Sequence, residues 1–434
     1  MARTPLHLAI VAALVACSSH DATQLDAGPI DAPMVPTGTV AIPLTSLDEL
    51  SYTGVLRTGG QAQSVIVDTG STTLAVASSA CTNCGVTPLY TPGSGAVDEH
   101  QIGTEMFTSD TGWTGEIYQD SVVLGSDAVV PVQLVAIGSA SNFFEPFDDA
   151  GDIGFEGILG LGPDSNLIPD TTSYLTAAFA AGVPRTFAFQ LCPSDGTMWI
   201  GGVDTAAEAS APAVTPMLSS TTEQLDAYLV TIAAMAIGSG SNVGSDADYG
   251  PAIIDTGSSI SFIPTAPLAA ITAAIQASAG YQSIFGTQSL TDTQSMGCVT
   301  TAQTGSAIDA ALPPLHIAFP DATGTTSTDL ALPATKSYLV FSGSTGSGAD
   351  NEWCYALVDS SQLGPGPAVS LIGDSLLNAV VVSFDVANQQ VSFAPTLGCG
   401  ESDAVLRPVH RGPKVAGVAW WRQRGLHSPR ARRP

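Results

Sequence analysis

Two short segments place an aspartate at the end of an apolar run and follow it with threonine, glycine and two hydroxyl residues. The first is VIVDTGST at residues 65–72, with Asp68, and the second is AIIDTGSS at residues 252–259, with Asp255. An apolar run followed by a small polar turn predicts a buried strand that ends by presenting one carboxylate. One Asp-Thr-Gly is weak evidence in a chain rich in these residues, whereas two copies with matched flanks indicate an internal repeat.

Two carboxyl groups brought together at such turns could do acid–base chemistry. Carboxylates that lie too close for both to ionise share one proton. The ionised member can take a proton from a water that attacks a peptide carbonyl, while the protonated member hydrogen-bonds the carbonyl oxygen. Asp68 and Asp255 are therefore candidate catalytic residues, and this chemistry requires no covalent intermediate, metal or cofactor. The competing interpretation is a pair of Asx-type turns that only end strands.

Further motifs follow in an order that resembles the pepsin family of aspartic proteases. They are EGILGLG at 156–162, WIGGVD at 199–204, AYLVTI at 227–232 and LIGDSLLNAVVVSFDVANQQVSFAP at 371–395. The resemblance covers about residues 39–399. It implies a mostly β, bilobal fold with two related β-barrel-like lobes, an active site in the cleft between them, and polypeptide substrates.

The resemblance also implies roles for the neighbours of the two aspartates. Its threonines hydrogen-bond across the lobe interface, its serines donate to the outer carboxylate oxygens, and its glycines keep the carboxylates accessible. The matching supporting residues are Thr69, Gly70, Ser71, Thr256, Gly257 and Ser258.

The hairpin that covers the cleft departs from the family pattern. The corresponding run is EMFTSDTGW at 105–113, where the family's tyrosine position falls on Thr108, or on Phe107 after a one-residue shift. The tryptophan common after the first motif is replaced by Ala75. We therefore expect a remodelled flap in which Phe107 or Trp113 covers the substrate by hydrophobic contact. The alternative function is a catalytically weak or inactive pepsin-like protein that acts as a binder or inhibitor.

The elements that must position these residues are predicted from the same patterns. We expect a hairpin over residues 101–124 and helices over 171–181 and 266–278. The resemblance implies that the apolar-apolar-Gly elements at 158–160 and 371–373 cross beneath the two aspartate loops. A chain of 434 residues suits two lobes, and its 44 Gly and 29 Pro favour many short strands and turns.

Five segments are predicted in all. They are a signal peptide at 1–16, a lipidated Cys17 with a disordered acidic linker to 39, an N-terminal lobe at 40–209, a C-terminal lobe at 210–395, and a final cysteine with a basic, disordered tail at 396–434.

The N-terminus indicates export. An apolar run at 6–16 is too short to span a bilayer but has the length of a signal peptide's apolar region. Leu14-Val15-Ala16-Cys17 resembles a bacterial lipobox, which predicts a cell-envelope lipoprotein anchored to the membrane through Cys17. An ordinary secretory signal with an incidental cysteine is the alternative and would give a secreted protein. The acidic linker differs from the basic inhibitory prosegments of many family members, so no such prosegment is expected.

Charge is distributed unevenly along the chain. Of 12 Lys and Arg, eight lie after Gly400, and only Arg57, Arg185 and Lys336 accompany the 37 acidic residues between 17 and 400, a net charge of about −34. Nucleic acid is therefore not expected as a partner, and we expect a monomer that works at acidic pH. A solvated acidic surface that aids solubility is the alternative. The basic tail could bind an anionic surface or have no function.

The six remaining cysteines form an even set behind an export signal, which indicates disulfides. The resemblance implies the pairs Cys81–Cys84 and Cys298–Cys354 and leaves Cys192 with Cys399, although six cysteines allow 15 connectivities. Cys81 and Cys84 also have metal-site spacing, but no second pair or histidine cluster completes such a site, so no metal is expected. The GDSL at 373–376 spells an esterase motif, but no Asp-x-x-His follows it.

Overall fold

The computed structural model describes residues 38–48, 50–107, 111–125, 128–145, 153–163, 171–219, 225, 227–291, 297–324, 327–344, 350–363, 366–378, 380–397 and 399. The predicted signal peptide, lipidated Cys17, linker up to residue 37 and basic tail from residue 401 lie outside these residues, as does Thr108. Within the described residues, no helix combines the length and the apolar character needed to cross a membrane.

Short strands dominate the fold, which confirms the mostly β prediction. The first half contains β1 (Val40–Ser46), β2 (Tyr52–Thr58), β3 (Gln61–Asp68), β4 (Leu74–Ala77), β5 (Val97–Met106), β6 (Gly112–Leu124), β7 (Ala128–Ser141), β8 (Gly157–Gly160), β9 (Thr186–Leu191) and β10 (Asp195–Ile200). The second half contains β11 (Ala213–Pro216), β12 (Leu229–Thr231), β13 (Ala234–Ile237), β14 (Pro251–Ile254), β15 (Ser261–Ile263), β16 (Cys298–Thr301), β17 (Leu315–Pro320), β18 (Ser327–Leu332), β19 (Leu339–Ser344), β20 (Asn351–Tyr355), β21 (Leu357–Asp359), β22 (Ser370–Ile372), β23 (Val380–Asp385) and β24 (Gln390–Pro395).

Helices are few and short among the described residues. They are α1 (Tyr174–Ala180), α2 (Asp246–Tyr249), α3 (Thr265–Ala277), α4 (Ala279–Phe285), α5 (Gly305–Ala311) and α6 (Asp374–Leu377). The Ser173 hydroxyl begins α1 by accepting a hydrogen bond from the Thr176 N–H at 3.2 Å, as an N-cap residue does. The helices expected over 171–181 and 266–278 are α1 and α3, with ends displaced by one to three residues.

Both halves build the same four-stranded unit around their aspartate segment. In the first half the strand order is β3-β8-β4-β7, and in the second it is β14-β22-β15-β21. In each unit the first two strands are parallel, the next two antiparallel and the last two parallel. The internal repeat inferred from two Asp-Thr-Gly segments is therefore a repeat of strand topology.

The halves are joined by a continuous sheet in the order β11-β24-β23-β9-β10-β1. At its centre β9 pairs with β23, which places Phe187 opposite Phe384. Their rings stack at 4.6 Å and 4°, and the Tyr228 ring lies 4.9 Å from that of Phe384. All three side chains are buried, so apolar burial across the junction holds the two halves together.

Three disulfides close the fold and match the pairs that the family resemblance implied. Cys81 is bonded to Cys84, Cys298 to Cys354, and Cys192 to Cys399 across a sequence separation of 207 residues. The Cys192–Cys399 bond ties the end of the second half to the first half.

The stacked rings at the junction give a stability prediction. Phe384→Ala should lower the free energy of unfolding by about 3–5 kcal/mol, because it leaves a cavity between Phe187 and Tyr228. Val55→Ala is the control, since Val55 is 48% exposed and should change stability by no more than about 0.5 kcal/mol. Chemical denaturation measures both variants, and equal losses would contradict a junction held by these rings.

Candidate active site

Each candidate aspartate lies at the end of a buried central strand. Asp68 is the last residue of β3, and Asp255 directly follows β14. Both side chains are fully buried. Asp68 Oδ1 accepts a hydrogen bond from the Gly70 N–H at 2.7 Å, and Asp255 Oδ1 accepts one from the Gly257 N–H at 2.8 Å. The repeated sequence thus produces the same tight turn twice.

Reciprocal threonine hydrogen bonds lock the two turns to each other. The Thr69 hydroxyl donates to the Ile254 carbonyl at 2.8 Å and accepts from the Thr256 N–H at 3.0 Å. The Thr256 hydroxyl donates to the Val67 carbonyl at 2.9 Å and accepts from the Thr69 N–H at 3.1 Å. Four bonds therefore cross between the halves within one buried patch, as the family resemblance implied for these threonines.

The two glycines have a steric role that the sequence did not reveal. A Cβ placed on Gly70 would lie 2.5 Å from the Asp255 carboxyl carbon, and one on Gly257 would overlap the Asp68 carboxyl group. Each glycine thus faces the aspartate of the other half. Any side chain at either position would push the two loops apart, so the close approach of the carboxyls requires glycine.

The surroundings of Asp68 disfavour its ionised form. Burial is the largest effect and raises the pKa of Asp68 well above its usual range, and the neighbouring carboxyl of Asp255 raises it further. The Ser71 hydroxyl and the Gly70 N–H act in the opposite direction and lower this pKa. Two groups in this relation take up and release protons as a pair.

The serines of the two turns are not equivalent. The Ser258 hydroxyl donates to Asp255 Oδ2 at 2.8 Å, as the resemblance implied. Among the described residues, Ser71 Oγ and Asp68 Oδ2 are buried and have no hydrogen-bond partner. The Ser71 hydroxyl lowers the pKa of Asp68 without a hydrogen bond like that of Ser258, so its expected donation to Asp68 stays a prediction.

A third acid, Asp374, lies near the pair formed by Asp68 and Asp255. From the sequence it was assigned no chemical role. It begins α6, where its N–H donates to the Ser258 carbonyl at 2.8 Å. Its carboxyl is fully buried, and neither oxygen has a hydrogen-bond partner in the described part of the chain. Burial, followed by the negative charges of Asp255, Asp48 and Asp68, raises the pKa of Asp374 well above its usual range.

A fourth acid, Asp48, extends this group. Its Oδ1 accepts a hydrogen bond from the Leu50 N–H at 3.1 Å, and burial raises its pKa from 3.8 to about 6. In sequence, Asp374 carried a signal that could have been used, because LIGD is a third apolar run ending in aspartate. Asp48 carried none, since its position depends on how the segment before β2 packs.

The two aromatic flap residues are buried and do not cover the cleft. Phe107 directly follows β5, and Trp113 is the second residue of β6, where it pairs with Glu105. Phe107 and Trp113 are each 2% exposed and pack against each other with ring centres 6.3 Å apart. They share a buried cluster with Ala75 and Phe143. Their expected contact with substrate is therefore corrected to a packing role in this cluster.

The esterase motif does not form a nucleophile site. Ser375 is fully buried, and its hydroxyl lies 3.0 Å from the Ser261 hydroxyl and 3.4 Å from the Ala356 carbonyl. The Cys81–Cys84 disulfide likewise leaves no thiolate there for the alternative metal site.

Comparison with known proteins gives two findings. A family model described as eukaryotic aspartyl protease matches residues 51–396, which include both aspartate turns. An aspartic protease of Phaffia rhodozyma is 27% identical over 353 residues, or 80% of this chain and 77% of the relative. The matched region contains the repeated strand unit and the junction between the halves.

The raised pKa of Asp48 predicts that the protein is more stable in acid. From pH 4 to 6 the unfolded chain ionises Asp48 while the folded chain keeps its proton, so stability falls across this range. The pKa change corresponds to at most about 3 kcal/mol, and partial exposure of the residue lowers that value.

Asp48→Asn cannot ionise, so it should raise stability at pH 7 and flatten the decline between pH 4 and 7. Urea denaturation at several pH values measures this, and Asp195→Asn, at an exposed carboxylate, controls for the lost charge. An unaltered slope in Asp48→Asn would contradict the prediction.

Proposed function

The chain belongs to the eukaryotic aspartyl protease family, and on that premise we propose that it is an endopeptidase that hydrolyses extended polypeptides. The observation that carries the proposal is the pair of fully buried carboxyls, Asp68 and Asp255, held face to face by the threonine bonds. Such a pair retains one proton between them, which supplies an acid and a base in the same place.

The chemistry would proceed through a water held between the two carboxyls. The ionised carboxyl takes a proton from the water as its oxygen attacks the peptide carbonyl, and the protonated carboxyl donates a hydrogen bond to the carbonyl oxygen. The resulting tetrahedral intermediate carries its charge on that oxygen, where the donor stabilises it. Proton return to the leaving nitrogen breaks the C–N bond and restores the pair with one proton.

An acidic working pH follows from the same groups. The pair is productive only while it holds one proton, and that proton is lost as pH rises. The 37 acidic residues between 17 and 400 repel one another less when protonated. Activity should therefore decline towards neutral pH.

A second candidate function is a pepsin-like binding or inhibitor protein with weak or no catalysis. Its specific support is the flap, where Phe107 and Trp113 are buried and the family's tyrosine position falls on Thr108. No phenol hydroxyl is then available at that position to contact a substrate.

The two functions make opposite predictions for a denatured protein substrate at low pH. The enzyme should cleave it and be inhibited by pepstatin, and Asp68→Asn or Asp255→Asn should each reduce the rate by about 10³-fold or more. Asp195→Asn, at an exposed carboxylate, should cleave like the wild type. Binding of the substrate with no cleavage in the wild type would favour the binding protein and rule out the proposed enzyme.

We also propose that the protein is exported and anchored to a bacterial cell envelope through a lipid on Cys17. The support is the sequence Leu14-Val15-Ala16-Cys17 after an apolar run of signal-peptide length. Mass spectrometry of the mature N-terminus should find a lipidated Cys17. An unmodified terminus at another residue would exclude the anchor and favour secretion.

A further inference from the structure

A cavity of about 220 Å³ lies where the two halves meet, and no residue of either aspartate turn lines it. Leu175 and Phe179 of α1 form its first-half wall, and Met217 and Val386 belong to the second half. Tyr228 also lines it and donates its hydroxyl to the Leu161 carbonyl at 3.0 Å. Because the Leu161 N–H donates to the Asp68 carbonyl at 2.7 Å, the cavity lies directly behind the first aspartate turn.

One arginine, Arg185, lines the cavity. Its guanidinium carbon lies 5.9 Å above the Phe179 ring, which suits a cation–π contact. Its main chain is fixed, because its carbonyl accepts a hydrogen bond from the Val386 N–H at 3.0 Å. Within the described residues, no carboxylate forms an ion pair with its guanidinium.

Lysine and arginine are rare in the part of the sequence that contains Arg185. Arg185 is one of three Lys and Arg residues between 17 and 400, against 37 acidic residues, and no carboxylate in the described structure forms an ion pair with it. The cavity has polar lining residues as well as the apolar side chains of Leu175, Phe179, Met217 and Val386. A positive charge beside that apolar wall complements a ligand with one anionic group and one apolar group.

The volume of the cavity and the acidic pH proposed for this protein limit which ligands fit. A volume of about 150 Å³ is enough for a benzene molecule, so a cavity of about 220 Å³ has room for one leucine- or phenylalanine-sized side chain against its apolar wall. A peptide C-terminal carboxyl has a pKa of about 3.3–3.7 and stays ionised at the acidic pH proposed for this protein. Arginine binds a carboxylate through two parallel hydrogen bonds.

We infer that this cavity binds the free C-terminal residue of a peptide, with its carboxylate on Arg185 and its apolar side chain between Phe179, Met217 and Val386. Peptide hydrolysis would generate such ends, but the site itself does not depend on an active dyad. Because both halves contribute walls, the bound residue contacts both sides of the junction.

Calorimetric titration at pH 5 with acetyl-Ala-Ala-Leu, and with the same peptide as its C-terminal amide, tests the inference. The acid should bind and the amide should bind about tenfold more weakly or worse, because only the acid pairs with a guanidinium. Arg185→Gln should abolish this preference. Two control variants should keep the preference for the acid. They are Arg57→Gln, which removes another of the three Lys and Arg residues between 17 and 400, and the double variant Asp68→Asn, Asp255→Asn.

Equal binding of acid and amide, a preference that survives Arg185→Gln, or no binding would each overturn the inference. A diazirine analogue of leucine at the last peptide position gives an independent test, since it should label Phe179 or Met217. Labelling confined to residues outside the cavity would also overturn it. Neither readout requires catalysis, so failure here is distinguishable from failure of the proposed peptidase activity.

Discussion

Two acids that repel each other are held together out of water, and the surrounding structure is arranged to keep them there. Burial disfavours the charged form of each carboxyl, and proximity disfavours charging both. The hydrogen bonds of Thr69 and Thr256 prevent the loops from separating, and Gly70 and Gly257 leave no side chain between them. Because movement cannot relieve the repulsion, a retained proton does, and that proton is what acid–base hydrolysis needs.

Both halves use the same strand topology to bring an aspartate to the site, but the hydrogen bonds around the two aspartates differ. The strand units β3-β8-β4-β7 and β14-β22-β15-β21 present their aspartates in the same way. Only Asp255 accepts a serine hydroxyl, however, while Asp68 Oδ2 lacks a partner among the described residues. A scaffold with strict twofold symmetry would treat both carboxyls alike, whereas the reaction requires one to act as acid and the other as base.

The sequence predicted those parts of the site that depend on local pattern. The turns at Asp68 and Asp255 follow from apolar runs that end in Asp-Thr-Gly, and the family resemblance supplied the three disulfide pairs. The same patterns could not show that Gly70 faces Asp255, because that contact joins residues far apart in the chain. They also could not place Asp48 beside Asp374, since no periodicity relates these two residues.

The flap was predicted wrongly for a related reason. An aromatic residue near a hairpin tip can face a cleft or a core, and residue type alone does not distinguish these. In this structure Phe107 and Trp113 join Ala75 in one buried cluster, where close packing favours apolar side chains. Contacts between strands decide which of the two faces a ring adopts, and the local sequence pattern does not encode those contacts.

Protons on the buried acids at the site affect both the stability of the fold and the proposed chemistry. Asp68, Asp374 and Asp48 all have raised pKa values, with burial as the largest cause. Each is favoured in its neutral form by the folded state, so each contributes stability that is greatest below the usual aspartate pKa and is lost as pH rises. The proposed reaction needs one of these protons as its acid. A rise in pH would therefore weaken the fold around the site and remove the reacting proton together, so acid conditions suit both the structure and the reaction proposed for it.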